Sequence, residues 1–142
     1  MDKLTPSRAA ETEVIREAYA ALSRNDISGF VKAFDPEIER IEPAEFPGGG
    51  TYHGLEAVKA HVSKGRSTWA EGSCEPERFI ADDDKIVVFL HVRVRLRDHT
   101  DWLDGRIADV FTFCKGKAIE FRTFADIQQA LEWAGLKALD AN

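Results

Sequence analysis

At 142 residues the chain is long enough for one domain with a real core, and its 44% hydrophobic and 31% charged residues are an ordinary globular balance. The net charge of −6 argues against nucleic acid as a main partner, because phosphate binding rests on clustered Lys and Arg. No apolar run is long enough to span a membrane, and Met1-Asp2-Lys3-Leu4-Thr5-Pro6 lacks the apolar stretch of a secretory leader, so a cytoplasmic location is expected.

A single domain over residues 1–142 is expected, without repeats or interior linkers. The first helix is predicted from about Ser7 to Arg24, where Val14, Ile15, Ala18, Tyr19, Ala21 and Leu22 recur at helical spacing. Asn25 and Asp26 break it, and Asp26 is suited to cap a second helix carrying Ile27, Phe30, Val31 and Phe34. Asp35-Pro36 ends that helix, and a short strand from Ile38 to Glu42 follows. Residues 43–54, with Pro43, Pro47, Gly48, Gly49, Gly50 and Gly54, read as a loop. A third helix is predicted over about Leu55 to Trp69.

Four strands come next, roughly Cys74–Ala81, Lys85–Arg97, Gly105–Cys114 and Lys117–Ala125. The Asp82-Asp83-Asp84 and Lys115-Gly116 turns join neighbours as hairpins. Ile127, Ala130, Leu131 and Ala134 form a last helical stripe, closed by Gly135, with Leu136 placed for the accompanying apolar contact. Helices followed by hairpin-joined strands indicate an α+β fold with an antiparallel sheet, one face of which lies under the helices. Cys74 and Cys114 make no disulfide framework and read as reduced thiols.

Side chains alternate along a strand, so each strand has two faces. Ile86, Val88, Leu90, Val92, Val94 and Leu96 share one face of their strand, and Ile119, Phe121 and Thr123 share one face of theirs. Between them, Ile107, Asp109, Phe111 and Phe113 make the better inner face. Asp109 is therefore expected alone among apolar side chains, where desolvation raises the pKa of a carboxyl. It is either a site residue, acting as a neutral donor or a tuned base, or a buried structural acid bonded to Tyr19, the backbone or an Arg.

Around it, Trp69, Trp102, Phe46 and Phe111 are candidates to line a pocket or serve as core. Glu42 ends its strand as a pocket-mouth base or a solvated loop acid. The opposite sheet face, with Phe89, His91, Arg93, Arg95, Val110, Glu120 and Arg122, fits either a dimer contact or solvent. His53, on the loop before the third helix, reads as a pocket-edge or a turn residue, and His61 lies on the third helix at its boundary. His99, in Asp98-His99-Thr100-Asp101, lacks metal-ligand spacing. No cofactor or metal is implied, and Gly48-Gly49-Gly50 lacks the Lys-Ser/Thr of a phosphate loop.

Three segments carry a family resemblance. Ala20-Ala21-Leu22-Ser23-Arg24-Asn25-Asp26, with the Phe30 and Phe34 helix, resembles the opening of the SnoaL-like polyketide cyclases and ketosteroid isomerase relatives of the nuclear-transport-factor-2-like superfamily. Tyr52-His53-Gly54-Leu55-Glu56-Ala57-Val58 resembles their entry to the third helix. Asp109-Val110-Phe111-Thr112-Phe113, followed by Lys115-Gly116-Lys117, resembles their final hairpin. The resemblance implies a cystatin-like α+β cone, a curved antiparallel sheet wrapped by N-terminal helices around a pocket for a small apolar molecule.

Ketosteroid isomerases use a Tyr and a protonated Asp as oxyanion hole, plus a carboxylate base. The resemblance puts Asp109 at the oxyanion-hole acid and Glu42-Pro43 at the base. The sequence departs at the tyrosine, where Ala18 takes the slot and Tyr19 is displaced by one residue, about 100° around a helix. Thr123 stands where limonene-epoxide hydrolases carry a last-strand Asp, which argues against epoxide hydrolysis.

The expected function is a small-molecule pocket protein, read as a cofactor-independent acid–base isomerase or cyclase acting next to a carbonyl. Asp109 and Glu42 are its candidate catalytic residues, and Tyr19, Trp69, Trp102, Phe111, Phe121 and Thr123 its candidate substrate contacts. The alternatives are a non-catalytic ligand-binding domain and a dimerising module that pairs through the outer sheet face.

Overall fold

Alternating apolar residues on the long strands force one sheet face under the helices, and the chain is built around that requirement. The computed structural model describes residues 6–136. Residues 1–5, on which the expected cytoplasmic location partly rests, and 137–142, which end the expected domain span, lie outside the described residues. In chain order the elements are α1 (Pro6–Ser23), α2 (Ile27–Phe30), β1 (Phe34–Glu42), β2 (Gly50–His53), α3 (Leu55–Ser67), β3 (Trp69–Asp82), β4 (Lys85–Leu96), β5 (Leu103–Cys114), β6 (Lys117–Phe124) and α4 (Ile127–Trp133). Among the described residues, no helix is long and apolar enough to cross a membrane.

The six strands form one curved sheet in the order β2-β1-β6-β5-β4-β3. The expected antiparallel pairing holds for every pair but one: β1 runs parallel to β6, with Arg40 opposite Phe121. The β5–β6 hairpin closes through Lys115 and Gly116, both at positive φ, the backbone state that matches a two-residue turn to strand twist.

On the inner face, Ile86, Val88 and Leu90 of β4 meet Phe111 and Phe113 of β5, Phe121 of β6 and Ile38 of β1. Ile15, Ala18 and Tyr19 of α1, with Phe30 and Phe34, close over them. A second cluster lies on the outer face, where Val87, Ala108 and Val110 pack with Ala130 of α4, and Phe89, Phe124 and Ile127 gather around them. Thus α4 covers the part of the outer face that carries Phe89 and Val110. The Asp126 carboxylate caps its start by accepting from the Gln128 N–H at 2.8 Å. Its end is a Schellman closure: Gly135 sits at φ +80°, and the Leu136 and Gly135 N–H groups donate to the Leu131 and Glu132 carbonyls.

Three elements differ from the sequence reading. The second helix stops at Phe30 rather than reaching Phe34. Phe34 instead begins β1 opposite Ala118, and the residue before Pro36 is biased toward extended backbone. Residues 50–53, expected in a loop, form β2, because the inner strand β1 offers its free edge there. The third helix ends at Ser67, and Trp69 opens β3 opposite Leu96.

Gly72 sits just after the bulge between Trp69 and Glu71, at φ +121°, where an added Cβ would lie 2.2 Å from the Arg93 carbonyl oxygen. No L side chain fits that approach. Gly72→Ala is expected to cost roughly 2 kcal/mol or more of stability, read by urea unfolding. A variant as stable as the parent would show that the bulge is not under this constraint.

Candidate functional site

The inward turn of β5, β6 and β1 leaves a cavity of about 220 Å³ between the sheet, α1 and α3. Its walls are mostly apolar, with Leu22, Phe30, Val62, Trp69, Val92, Ile107 and Phe121. Set among these are Tyr19, Arg40, Glu42, His61, Asp109 and Thr123.

Asp109 is 4% exposed. It pairs with Thr123 across the antiparallel β5–β6 ladder, so the two side chains leave the sheet side by side. The Thr123 hydroxyl donates to Asp109 Oδ1 at 2.5 Å, and the Tyr19 hydroxyl donates to Oδ2. Burial raises the Asp109 pKa above its ordinary value, against the Arg40 cation and the two hydroxyl bonds, which pull it down; Glu42 adds to the rise. Tyr19 is held well above its ordinary pKa, first by burial and then by the Asp109 charge, so its phenol stays protonated and remains a donor.

Tyr19 therefore reaches the acid despite its displaced position in the sequence. Its neighbour Ala18 is also buried, so this part of α1 presses a wide face on the sheet, and the long phenol spans the remaining distance. Edge-on contacts with Phe30 and Phe111, at centroid distances of 5.5 and 6.2 Å, fix the ring.

On the other side of the cavity, β1 alternates Ile38, Arg40 and Glu42 toward the interior. Glu42 Oε2 lies 3.2 Å from Arg40 Nη2, and Oε1 lies 2.9 Å from His61 Nε2. The His61 ring stacks on Tyr52 at 3.9 Å, and the Tyr52 hydroxyl donates to the Gly48 carbonyl at 2.8 Å, which ties residues 43–49 to this wall. Sequence reasoning missed Arg40 and left His61 at a helix boundary. The Ile38–Arg40–Glu42 alternation, which gives Arg40 the parity of Ile38, was a local signal for Arg40; none marked His61.

Of the other candidates, Trp69 and Phe121 line the cavity, with guanidinium groups of Arg66 and Arg40 lying 4.6 and 3.9 Å from their respective rings. Phe111 does not. It is fully buried beneath Phe121, Tyr19 and Phe34 and belongs to the core. Trp102 precedes β5, is exposed and stacks with Arg93 at 4.1 Å, away from the cavity lining. His53 bonds Glu37 at the exposed sheet edge, and His91 bonds Asp104 on the outer face. Cys74, buried beside Tyr19, has its thiol pKa pushed up by burial and is inert as a nucleophile; it and Cys114 are free cysteines. Among the described residues, no group of three or more His, Cys, Asp or Glu is placed to hold a metal ion.

A larger cleft of about 620 Å³ lies outside, between α1, α2 and the β5–β6 turn. Its charged residues, Glu13, Glu17, Lys32 and Lys117, are all exposed, and none of the buried polar groups described above lines it. The smaller cavity is therefore the one with chemistry.

The profile of the SnoaL-like domain family matches residues 15–121. A nuclear-transport-factor-2-like protein of unknown function from Burkholderia pseudomallei K96243 superposes with a TM-score of 0.73 at 26% identity, covering 86% of this chain and 95% of that one. TerC, co-crystallised with polyporic acid, superposes with a TM-score of 0.72 at 24% identity, over 86% of this chain and 95% of its own. A putative SnoaL-like polyketide cyclase from Jannaschia sp. CCS1 gives a TM-score of 0.76 at 14% identity, over 92% and 95%. No curated protein matches the chain.

Proposed function

The chain belongs to the SnoaL-like domain family, and from that membership we propose that it is a cofactor-independent acid–base catalyst acting on carbon next to the carbonyl of a small apolar compound. The observation that carries this reading is Asp109. It is a buried carboxyl at a cavity wall, with both oxygens held by hydroxyls of Tyr19 and Thr123 and its pKa raised by burial. A carboxylate made more basic by desolvation, and fixed in place, is suited to take a proton from carbon.

In the proposed step the Asp109 carboxylate removes a proton from the carbon beside the carbonyl. The C–H pair becomes a C=C bond, and the carbonyl π pair moves onto oxygen. The Asp109 acid then returns the proton, to the same carbon or to its vinylogue, so the cycle needs no oxidant or reductant. Glu42, engaged by Arg40 and His61, holds the cation of the site and is the second candidate base. The modest cavity favours a compact ligand. That TerC, of the same fold, was co-crystallised with polyporic acid fits an organic small molecule as occupant.

The test uses phenylacetone, whose benzylic protons sit next to a carbonyl and whose ring suits Trp69 and Phe121. In D2O, proton NMR should show the protein accelerating exchange of those protons over buffer alone. Binding without acceleration would move the protein to the ligand-binding reading, and no binding would remove the carbonyl reading altogether.

A further inference from the structure

Resting on the reading above, the geometry points to Arg40 as the group that binds the substrate carbonyl oxygen, through its Nε–H, and stabilises the negative charge that develops there. Arg40 is 6% exposed. Its Nη1 donates to the Ile41 and Phe121 carbonyls at 3.1 and 3.3 Å, and its Nη2 faces Glu42. The guanidinium also lies over the Phe121 ring. Both terminal nitrogens and the plane are thus fixed. The Nε–H is buried and has no partner among the described residues. A buried donor without an acceptor is costly, and a charged one more so, which calls for an acceptor supplied from the cavity that Arg40 lines.

The placement suits the chemistry. Arg40 stands opposite Phe121 on β6, and Asp109 stands opposite Thr123, two residues further along the same face. Because β1 and β5 flank β6, their backbones lie about 10 Å apart across the sheet as well as roughly 7 Å apart along it. The Arg40 side chain crosses part of that distance, since its guanidinium lies over the Phe121 ring of β6, and Arg40 and Asp109 line one cavity, so a carbonyl oxygen held by Nε and its neighbouring carbon held near Asp109 fit between them. The hydroxyl protons of Tyr19 and Thr123 are already given to Asp109, so they hold the base and leave the substrate oxygen to another donor. A guanidinium in a low-dielectric wall gains strength as the oxygen becomes an enolate, and this differential is what lowers a barrier.

The decisive measurement is on the wild-type protein. With 13C and 15N labelling, the Arg40 Nε–H signal is assigned through its own side-chain carbons. It is followed during titration with phenylacetone and, separately, with propylbenzene, which replaces the carbonyl by CH2. The signal should move with the ketone and stay in place with the hydrocarbon. Arg40→Lys, which keeps the charge facing Glu42 but removes the Nε–H, should lower the exchange rate of bound phenylacetone by about 10²-fold or more, with a smaller change in KM. If the ketone perturbs the Trp69 indole but leaves Arg40 Nε–H unmoved, this assignment is wrong while the acid–base reading stands. If the ketone perturbs neither, both fall.

Discussion

Asp109→Asn should lower carbonyl-adjacent proton exchange by roughly 10²–10⁴-fold, the range a positioned acid–base group supplies. It should also make the fold harder to unfold at neutral pH. Both effects have one cause. The amide is close in shape to the carboxyl, its carbonyl accepts one hydroxyl bond, and its NH2 donates to the other hydroxyl, so Tyr19 and Thr123 keep their partner. What disappears is a proton acceptor and a charge held away from water.

The pH dependence follows from the direction of the shift. Asp109 has its pKa raised in the folded chain above the ordinary 3.8. Between those two values the folded state holds a proton that the unfolded state has released. Wild-type stability must therefore fall as pH rises through that interval, then level off once the folded group is ionised. Asn does not titrate, so the variant loses nothing there. Unfolding of both proteins from about pH 4 upward should show the variant's advantage growing with pH. An advantage that does not change with pH would mean burial is not straining this carboxyl. Exchange that survives the substitution would remove Asp109 as the base, and Glu42→Gln would then be the informative variant.

Much of this site was legible in the sequence because alternation along a strand is a local property. Asp109 shares parity with Ile107, Phe111 and Phe113, and that alone places it inside. The same rule placed Phe121 and Thr123. It also placed Phe111 on the inner face, but parity does not give depth, and three aromatic rings separate Phe111 from a cavity contact. Partners that come from distant segments carry no local mark. The parallel pairing of β1 with β6 brings Arg40 over Phe121, and nothing within residues 34–42 names that partner. Parity with Ile38 puts Arg40 on the inner face, but the ring it lies over is known only once the neighbouring strand is. Tyr19 was named as a partner of Asp109, yet its displaced position left the reach open for a related reason: a shift of one helical position is decisive only if the helix face is narrow, and the width of the α1 contact is a tertiary property. The Pro- and Gly-rich composition of 43–54 likewise hid β2, whose strand character comes from the edge it pairs with.

Phe111→Ala should be among the most damaging single changes to stability, at about 3–5 kcal/mol. The ring is fully buried, stacks on Phe121 at a centroid distance of 4.6 Å, and makes angled contacts with Tyr19 and Phe34. Truncation removes the floor under the two rings that matter most to the site: Phe121, which supports the Arg40 guanidinium, and Tyr19, which holds Asp109. The void cannot close easily, because Ile86 and Val88 of β4 are fixed by the sheet on the same face. Thermal unfolding should shift down by roughly 10 °C or more, whereas Phe111→Leu, which keeps most of the volume, should cost less than half as much. A residue that contacts ligand from a cavity wall behaves differently: its truncation enlarges the cavity, weakens binding and leaves unfolding little changed. Near-normal stability of Phe111→Ala with lost phenylacetone binding would therefore return Phe111 to the site, and a collapse in stability places its contribution beneath it.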